Sequence, residues 1–265
     1  MTQMPSNPLA QATVLYQAGR FAEAETEARS MAAALERAGD DPFIPLLMSI
    51  VGLAVGAQGR HTEAVATYDA QLPLFGRTFG VEHPLTLKLR ADRAQALNML
   101  GRHAECEAEC AALIETAARN ASPEMAGVAM AAVYGRVQAL NALGRYPEAE
   151  ALARELLATL PDPDRFTLLL RLGLAVSLNA QKRHEEALTE ARHADEVHRG
   201  LPPEQRGSET GAAELAAATA LLGLGRGTEA RPEAAAAHDA CLALFGPDNI
   251  RTTEARNLLA RIDGA

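Results

Sequence analysis

The sequence contains no tryptophan, and aromatic residues make up only 4% of it although apolar residues as a class make up 48%. Alanine and leucine therefore carry most of the apolar volume. These residues favour closely packed helices, whereas sheets rely on β-branched and aromatic side chains. No apolar run reaches the roughly 18 residues that a membrane-spanning helix requires. The shortages predict an all-α protein with no membrane partner.

Positive charge and cysteine are also scarce. The 25 Lys and Arg residues are outnumbered by 34 Asp and Glu residues, so the formal net charge is −9 at pH 7. Nucleic-acid binding depends on clustered Lys and Arg, and a nucleic-acid partner is therefore not expected. Three cysteines provide no disulfide framework, and the start MTQMPSNPLAQ lacks the basic and apolar segments of a secretory signal. We therefore expect a cytoplasmic protein.

A six-residue marker recurs along the whole chain. It consists of Gly, a basic residue, two variable positions, Glu and a small residue, and its copies begin 40, 42, 43, 38 and 43 residues apart. An amphipathic run precedes each copy and another follows it, which predicts a helix, a tight turn and a second, antiparallel helix. Gly ends the first helix, and Glu lies in the first turn of the second. The copies are GRFAEA (19–24), GRHTEA (59–64), GRHAEC (101–106), GRYPEA (144–149), KRHEEA (182–187) and GRGTEA (225–230).

Small and apolar residues recur at fixed places around each turn. A small or short residue lies seven positions before the turn, an apolar residue four before it, and Ala or Cys five after it; in the third copy these are Ala94, Leu97 and Cys106. At these positions the repeats resemble tetratricopeptide repeats (TPRs). The spacing near 42 residues and the segments FGVEHPLTLKLR (79–90) and FGPDNIRTTEARNLLARI (245–262) resemble the subtype found in kinesin light chains and many bacterial proteins.

The resemblance implies a right-handed α-solenoid of six helix pairs closed by a C-terminal capping helix. Together these form one domain over residues 1–265. The expected units are 7–38, 42–79, 84–120, 123–160, 163–200 and 208–245, and the closing helix is 248–263.

Prolines mark further expected features. Pro73 and Pro232 lie within second helices, so we expect kinks or short irregular stretches there. A capping side chain before a proline marks the expected start of three first helices. These pairs are Asp41–Pro42, Ser122–Pro123 and Asp162–Pro163.

The resemblance implies that the first helices line a concave groove. Carboxamides on that face can donate to and accept from the backbone of an extended peptide, and apolar neighbours can take up its side chains. The alternative is structural, with the asparagines bonding the ends of neighbouring helices and stiffening the stack. The residues of this stripe are Gln95, Asn98, Tyr134, Gln138, Asn141, Leu172, Val176 and Asn179.

Five basic residues lie on the same first helices. They suit a carboxylate on a bound segment, or they form ion pairs with Asp92, Glu124 or the glutamates of adjacent helices. Both interpretations stay open from the sequence. The residues are Lys88, Arg90, Arg93, Arg136 and Arg171.

The chain offers no catalytic constellation. His103, Cys106 and Cys110 share one helical face, but the two cysteines occupy core positions, so we expect packing and neither a metal nor a cofactor. The sequence therefore predicts a non-enzymatic adaptor whose groove binds a protein or peptide segment. A subunit that docks through its convex or terminal surfaces, for example as a homodimer, is the alternative.

Overall fold

The computed structural model describes residues 7–39, 41–120, 122–160, 163–202 and 206–264. Within these ranges the chain forms thirteen α-helices, one short 3₁₀ segment at Gly207–Glu209 and no strand. The helices are α1 (Ala10–Gln17), α2 (Phe21–Ala38), α3 (Phe43–Ala57), α4 (His61–Thr78), α5 (Pro84–Met99), α6 (His103–Ala118), α7 (Pro123–Ala142), α8 (Tyr146–Leu157), α9 (Arg165–Ala180), α10 (His184–Gly200), α11 (Ala212–Gly223), α12 (Gly227–Phe245) and α13 (Ile250–Asp263).

The helices follow one another as six pairs and a closing helix, which confirms the predicted all-α class. The chain divides into two compact units, Met1–Gly135 and Arg136–Ala265, and the boundary falls inside α7. None of the helices described has both the length and the apolarity of a membrane span. Alanine and cysteine fill the fully buried position five residues after each turn, where a small side chain lets two helices approach. These residues are Ala24, Ala64, Cys106, Ala149, Ala187 and Ala230.

Each pair is joined by the same left-handed turn. In the fourth pair, Gly144 has φ of 74°, its N–H donates to Asn141 O at 3.1 Å, and Arg145 N–H donates to Leu140 O at 2.9 Å. This is the Schellman arrangement that satisfies the last carbonyls of a helix. The fifth turn repeats the geometry with Lys182 at φ of 62°, the one positive-φ residue other than glycine in the described chain.

Replacing Lys182 by glycine is expected to raise the free energy of unfolding by about 0.5–1 kcal/mol, because a side chain with a Cβ is strained in this conformation. Urea unfolding followed by circular dichroism measures the change. Gly144→Lys is the matched control, and it should lower stability by a similar amount. Equal stability of all three proteins would show that the turn tolerates any residue.

The two FG segments share one hydrogen bond that the sequence did not reveal. Thr86 donates its hydroxyl to Gly80 O at 2.7 Å, and Thr252 donates to Gly246 O at 2.9 Å. Each buried threonine therefore ties the first turn of a helix back to the glycine six residues earlier. The side chains that cap the two helices are those of His83 and Asn249.

Kinks or short irregular stretches were expected at two prolines, and the irregular stretches require correction. Helices α4 and α12 continue through Pro73 and Pro232, with no irregular stretch in either. Gln71 and Phe75, on either side of Pro73, are both buried, so core packing maintains that helix across the lost hydrogen bond.

The expected caps have different outcomes. Ser122 caps α7 as predicted, because its Oγ accepts from Met125 N–H at 3.3 Å. Asp41 accepts from Phe43 N–H at 2.8 Å, and α3 begins at Phe43. Asp162 lies outside the described residues, and the side chain that caps α9 is that of Asp164.

Candidate functional site

Asn141 ties α7 to α9 within the second unit. Only 8% of it is exposed, its Nδ2 donates to Gly173 O at 2.9 Å, and Ser177 Oγ donates to its Oδ1 at 2.7 Å. Gly173 makes this approach feasible, since a Cβ there would lie 2.7 Å from Val137 Cγ1. The carboxamide of Asn141 is therefore occupied by contacts inside the unit.

Asn179 repeats part of this arrangement one pair later. Its Nδ2 donates to Ala216 O at 3.2 Å, and Ala216, like Gly173, lies nine residues before a turn. Its Oδ1 lies 3.1 Å from Nδ1 of His184. In the first unit, Asn98 makes the corresponding contact with His103, at 2.7 Å. These contacts favour the structural interpretation of the asparagines, and a binding role for them stays a prediction.

The glutamines of the stripe differ from the asparagines. Gln95 and Gln138 are half-buried, and neither makes a hydrogen bond with the described part of the chain. Gln95 Nε2 lies over Gly135, where a Cβ would be 2.7 Å away. Both carboxamides therefore keep their full capacity to donate and accept.

The position six residues before the turn carries Gln138, Val176 and Thr219 in the second unit, and we call these three residues the inner row. Val176 is 49% exposed, although the rest of the apolar surface of α9 is mostly buried. Thr219 is half-buried and donates its hydroxyl to Leu215 O of its own helix, at 2.8 Å. The inner row thus makes no hydrogen bond to another helix within the residues that the structure describes.

The two other apolar residues of the stripe are less accessible. Leu172 is only 8% exposed and belongs to a core cluster with Leu168, Leu201 and the alanines around them. Tyr134 lies in the first unit, where it is half-buried and already has an interaction partner. Of the three residues predicted to make apolar contacts with a partner, Val176 has the most solvent-exposed side chain.

The five basic residues have carboxylates nearby in their own unit. Arg136 is half-buried and lies within electrostatic reach of Glu148. The other four form ion pairs, which supports the intramolecular interpretation without testing a binding role. These pairs are Lys88–Asp92 at 2.7 Å, Arg90–Glu109 at 2.7 Å, Arg93–Asp69 at 2.5 Å and Arg171–Glu190 at 2.6 Å.

Solved structures with similar helix pairs come from several proteins. A kinesin light chain repeat protein of Podosopora anserina is 20% identical, with a TM-score of 0.59 over 72% of this chain and 92% of that one. A tetratricopeptide repeat protein of Parabacteroides merdae is 15% identical, with a TM-score of 0.56 over 97% and 91%. This chain has the TPR fold. The assembly chaperone of RpL4 is 16% identical, with a TM-score of 0.52 over 99% and 96%. Neither the protein-family models nor the curated proteins gave a match.

Each of the two compact units carries a charge network of the same design, which the sequence did not predict. In the second unit, Glu150 accepts hydrogen bonds from Gln181, Arg183 and Arg154 at 2.6–2.9 Å. Burial raises the pKa of Glu150, but these hydrogen bonds outweigh it and leave the pKa below its usual value. The first unit repeats the network with Glu25, Gln58, Arg60 and Arg29.

A pattern in the repeats signals these networks. The residue six positions after a turn is Glu where the residue just before the next turn is Gln, as in Glu150 and Gln181. Where that residue is Leu, the position is apolar in two repeats, as in Leu188 with Leu224, but Glu107 lies six residues after the third turn although Leu143 precedes the fourth. Gln just before a turn therefore marks the networks better than Glu after the preceding turn does.

The cysteines of the third TPR are buried in the core. Cys106 and Cys110 are 0% and 1% exposed, and their Sγ atoms are 3.9 Å apart. Gly135 leaves room for Cys110, because a Cβ there would lie 2.9 Å from its Sγ. His103 contacts Asn98, and no three His, Cys, Asp or Glu side chains form a metal-binding group among the described residues. Packing accounts for both cysteines.

Proposed function

We propose that this protein is a non-catalytic scaffold that holds an extended segment of another protein against the inner row of its second unit. The observation that carries the proposal is the unbonded carboxamide of Gln138 together with the exposed side chain of Val176. A half-buried carboxamide that has no hydrogen bond within the protein loses little free energy when it bonds a ligand. It can accept from a peptide N–H and donate to a peptide C=O whatever the peptide's side chains are. An adjacent apolar side chain adds contact area.

One further observation supports a scaffold, and two others concern its location and repeat subtype. The chain shares its fold with the assembly chaperone of RpL4, a protein that is itself named for a protein partner. Cys106, Cys110 and Cys241 are buried and form no disulfide, which is consistent with the cytoplasm as the location. The kinesin light chain-like subtype is likewise part of the proposal, supported by the matching threonine bonds of the two FG segments.

Replacing Val176 by glutamate is expected to weaken peptide binding at least tenfold, since about 1.4 kcal/mol is lost when a charge is desolvated in the contact. The probes are peptides selected on the full chain from a phage-displayed random dodecapeptide library. Fluorescence polarisation measures their Kd. Because the side chain is already 49% exposed, the fold should be unaffected, and circular dichroism checks this.

Val14→Glu is the matched control. Val14 is also an exposed valine on a first helix, 58% accessible, but it lies five rather than six residues before its turn. Peptides that bind V14E and wild type equally, and lose affinity for V176E, support the proposal. Selected peptides that bind V176E as tightly as wild type would overturn it.

Self-association is the second candidate function, and the C-terminal TPR carries an observation in its favour. Leu242, Leu244 and Ile250 are 40%, 54% and 68% exposed around the junction of α12 and α13. If this surface mediates a homodimer, sedimentation equilibrium should give twice the chain mass, and Leu244→Ser with Ile250→Ser should give the monomer. A wild-type monomer at about 100 μM, far above the Kd of a stable dimer, would exclude it.

A further inference from the structure

Charge is missing from the inward-facing positions of the second unit. The residues ten, six, three and two positions before each turn are all uncharged, in a protein with 22% charged residues. The exposed or half-buried members are Gln138, Ala142, Val176, Asn179, Ala180, Leu215, Thr219, Leu222 and Gly223. A ligand on this surface meets amide, hydroxyl and aliphatic groups and the imidazole of His184, which contacts Asn179 and lies over Gly223.

Arg171, the charged residue of α9 nearest to Val176 in sequence, is compensated, because its Nη1 lies 2.6 Å from Glu190 Oε2. A charged ligand side chain would therefore lose hydration on contact with the inner row without gaining an ion pair in return. The surface selects against charge by that desolvation cost.

The small side chains one turn beyond the inner row shape the contact. Ala142 and Ala180 are exposed, and neither projects beyond a methyl group, whereas the ring of His184 lies over Gly223, 2.4–2.5 Å from where a Cβ would be. Neighbouring helices pack 8–10 Å apart, so the three first helices span roughly 20 Å, the length of about six residues of extended chain. Side chains alternate along such a chain, so two of the alternate side chains would lie over the low points at Ala142 and Ala180.

We propose that the second unit binds an extended, uncharged protein segment of about six residues whose alternate side chains are apolar. The inference rests on the proposed function, and it assigns the chemical class of the partner. Gln138 bonds the backbone of the segment, and Val176 contacts its apolar side chains. A terminal carboxylate or an acidic side chain has no role in recognition.

The test uses the same dodecapeptide library on the full chain. Clones are sorted by whether they bind V176E, and clones that also lose binding to V14E are set aside. The Val176-dependent clones should be depleted of Asp, Glu, Lys and Arg over a central stretch of about six residues. Their synthetic peptides should keep Kd within about twofold between roughly 50 and 500 mM NaCl, because no ion pair is screened. Amidation of the peptide C-terminus should also leave Kd within about twofold.

The outcomes separate the two proposals. Val176-dependent clones enriched in charged residues, or a Kd that weakens about tenfold with salt, would overturn the uncharged ligand class and leave the scaffold proposal standing. If no clone depends on Val176, the scaffold proposal fails and the ligand class fails with it. Depletion of charge together with salt-independent binding supports both.

Discussion

Replacing Gly211 by alanine is expected to lower the free energy of unfolding by about 3 kcal/mol. Gly211 has φ of 76° at the start of α11, which costs a residue with a Cβ about 1 kcal/mol. That Cβ would also lie 2.5 Å from Cys241 Sγ and 3.0 Å from the backbone oxygen of Ala237. Overpacking of this kind adds about 1–3 kcal/mol, because a backbone atom of α12 has to move. Urea unfolding measures the loss.

Gly225 separates the two causes. Its φ of 72° matches that of Gly211, but a Cβ there would meet nothing within 4 Å. Gly225→Ala should therefore cost only the conformational strain, about 1 kcal/mol. Adding Cys241→Ala to the Gly211→Ala protein should restore part of the lost stability and leave the clash with Ala237. Equal losses at the two glycines would contradict the close approach of α11 and α12.

Replacing Asn141 by alanine is expected to lower the free energy of unfolding by about 2 kcal/mol, because the hydrogen bonds to Gly173 and from Ser177 are lost in a buried place. The matched control is Gln138→Ala, on the same helix one turn earlier. It should change stability by less than about 0.5 kcal/mol, since Gln138 makes no hydrogen bond in the described chain. Thermal and urea unfolding of the two variants give the comparison.

A double-mutant cycle sharpens this test. Asn141→Ala and Ser177→Ala should together cost less than the sum of the single changes, with a coupling of about 1 kcal/mol. If Asn141→Ala instead leaves stability unchanged and abolishes binding of the selected peptides, asparagine rather than glutamine would be the recognition residue. The asparagines of the stripe would then bind the partner, and the glutamines would not.

The sequence places the members of the stripe on one helical face but does not reveal their contacts. Gln138 and Asn141 are three residues apart, so helical periodicity places them on one face. Whether that face contacts a neighbouring helix or solvent depends on helix rotation and on small residues elsewhere, here Gly173. For the same reason the sequence named Asp92, which pairs with Lys88 four residues away, but indicated only in general the glutamates of adjacent helices, of which Glu109 and Glu190 reach Arg90 and Arg171.

Local interactions explain what the sequence determined by itself. The helix pairs, their Gly turns and the small residues behind them follow from bonds and contacts that span only a few positions, so each repeat displays them separately. The tertiary structure decided which carboxamides are occupied. Asn141 bonds a backbone oxygen 32 residues away, whereas Gln138 bonds nothing in the described chain. That choice depends on the distance and rotation between neighbouring helices, which are set by side chains of both helices at once.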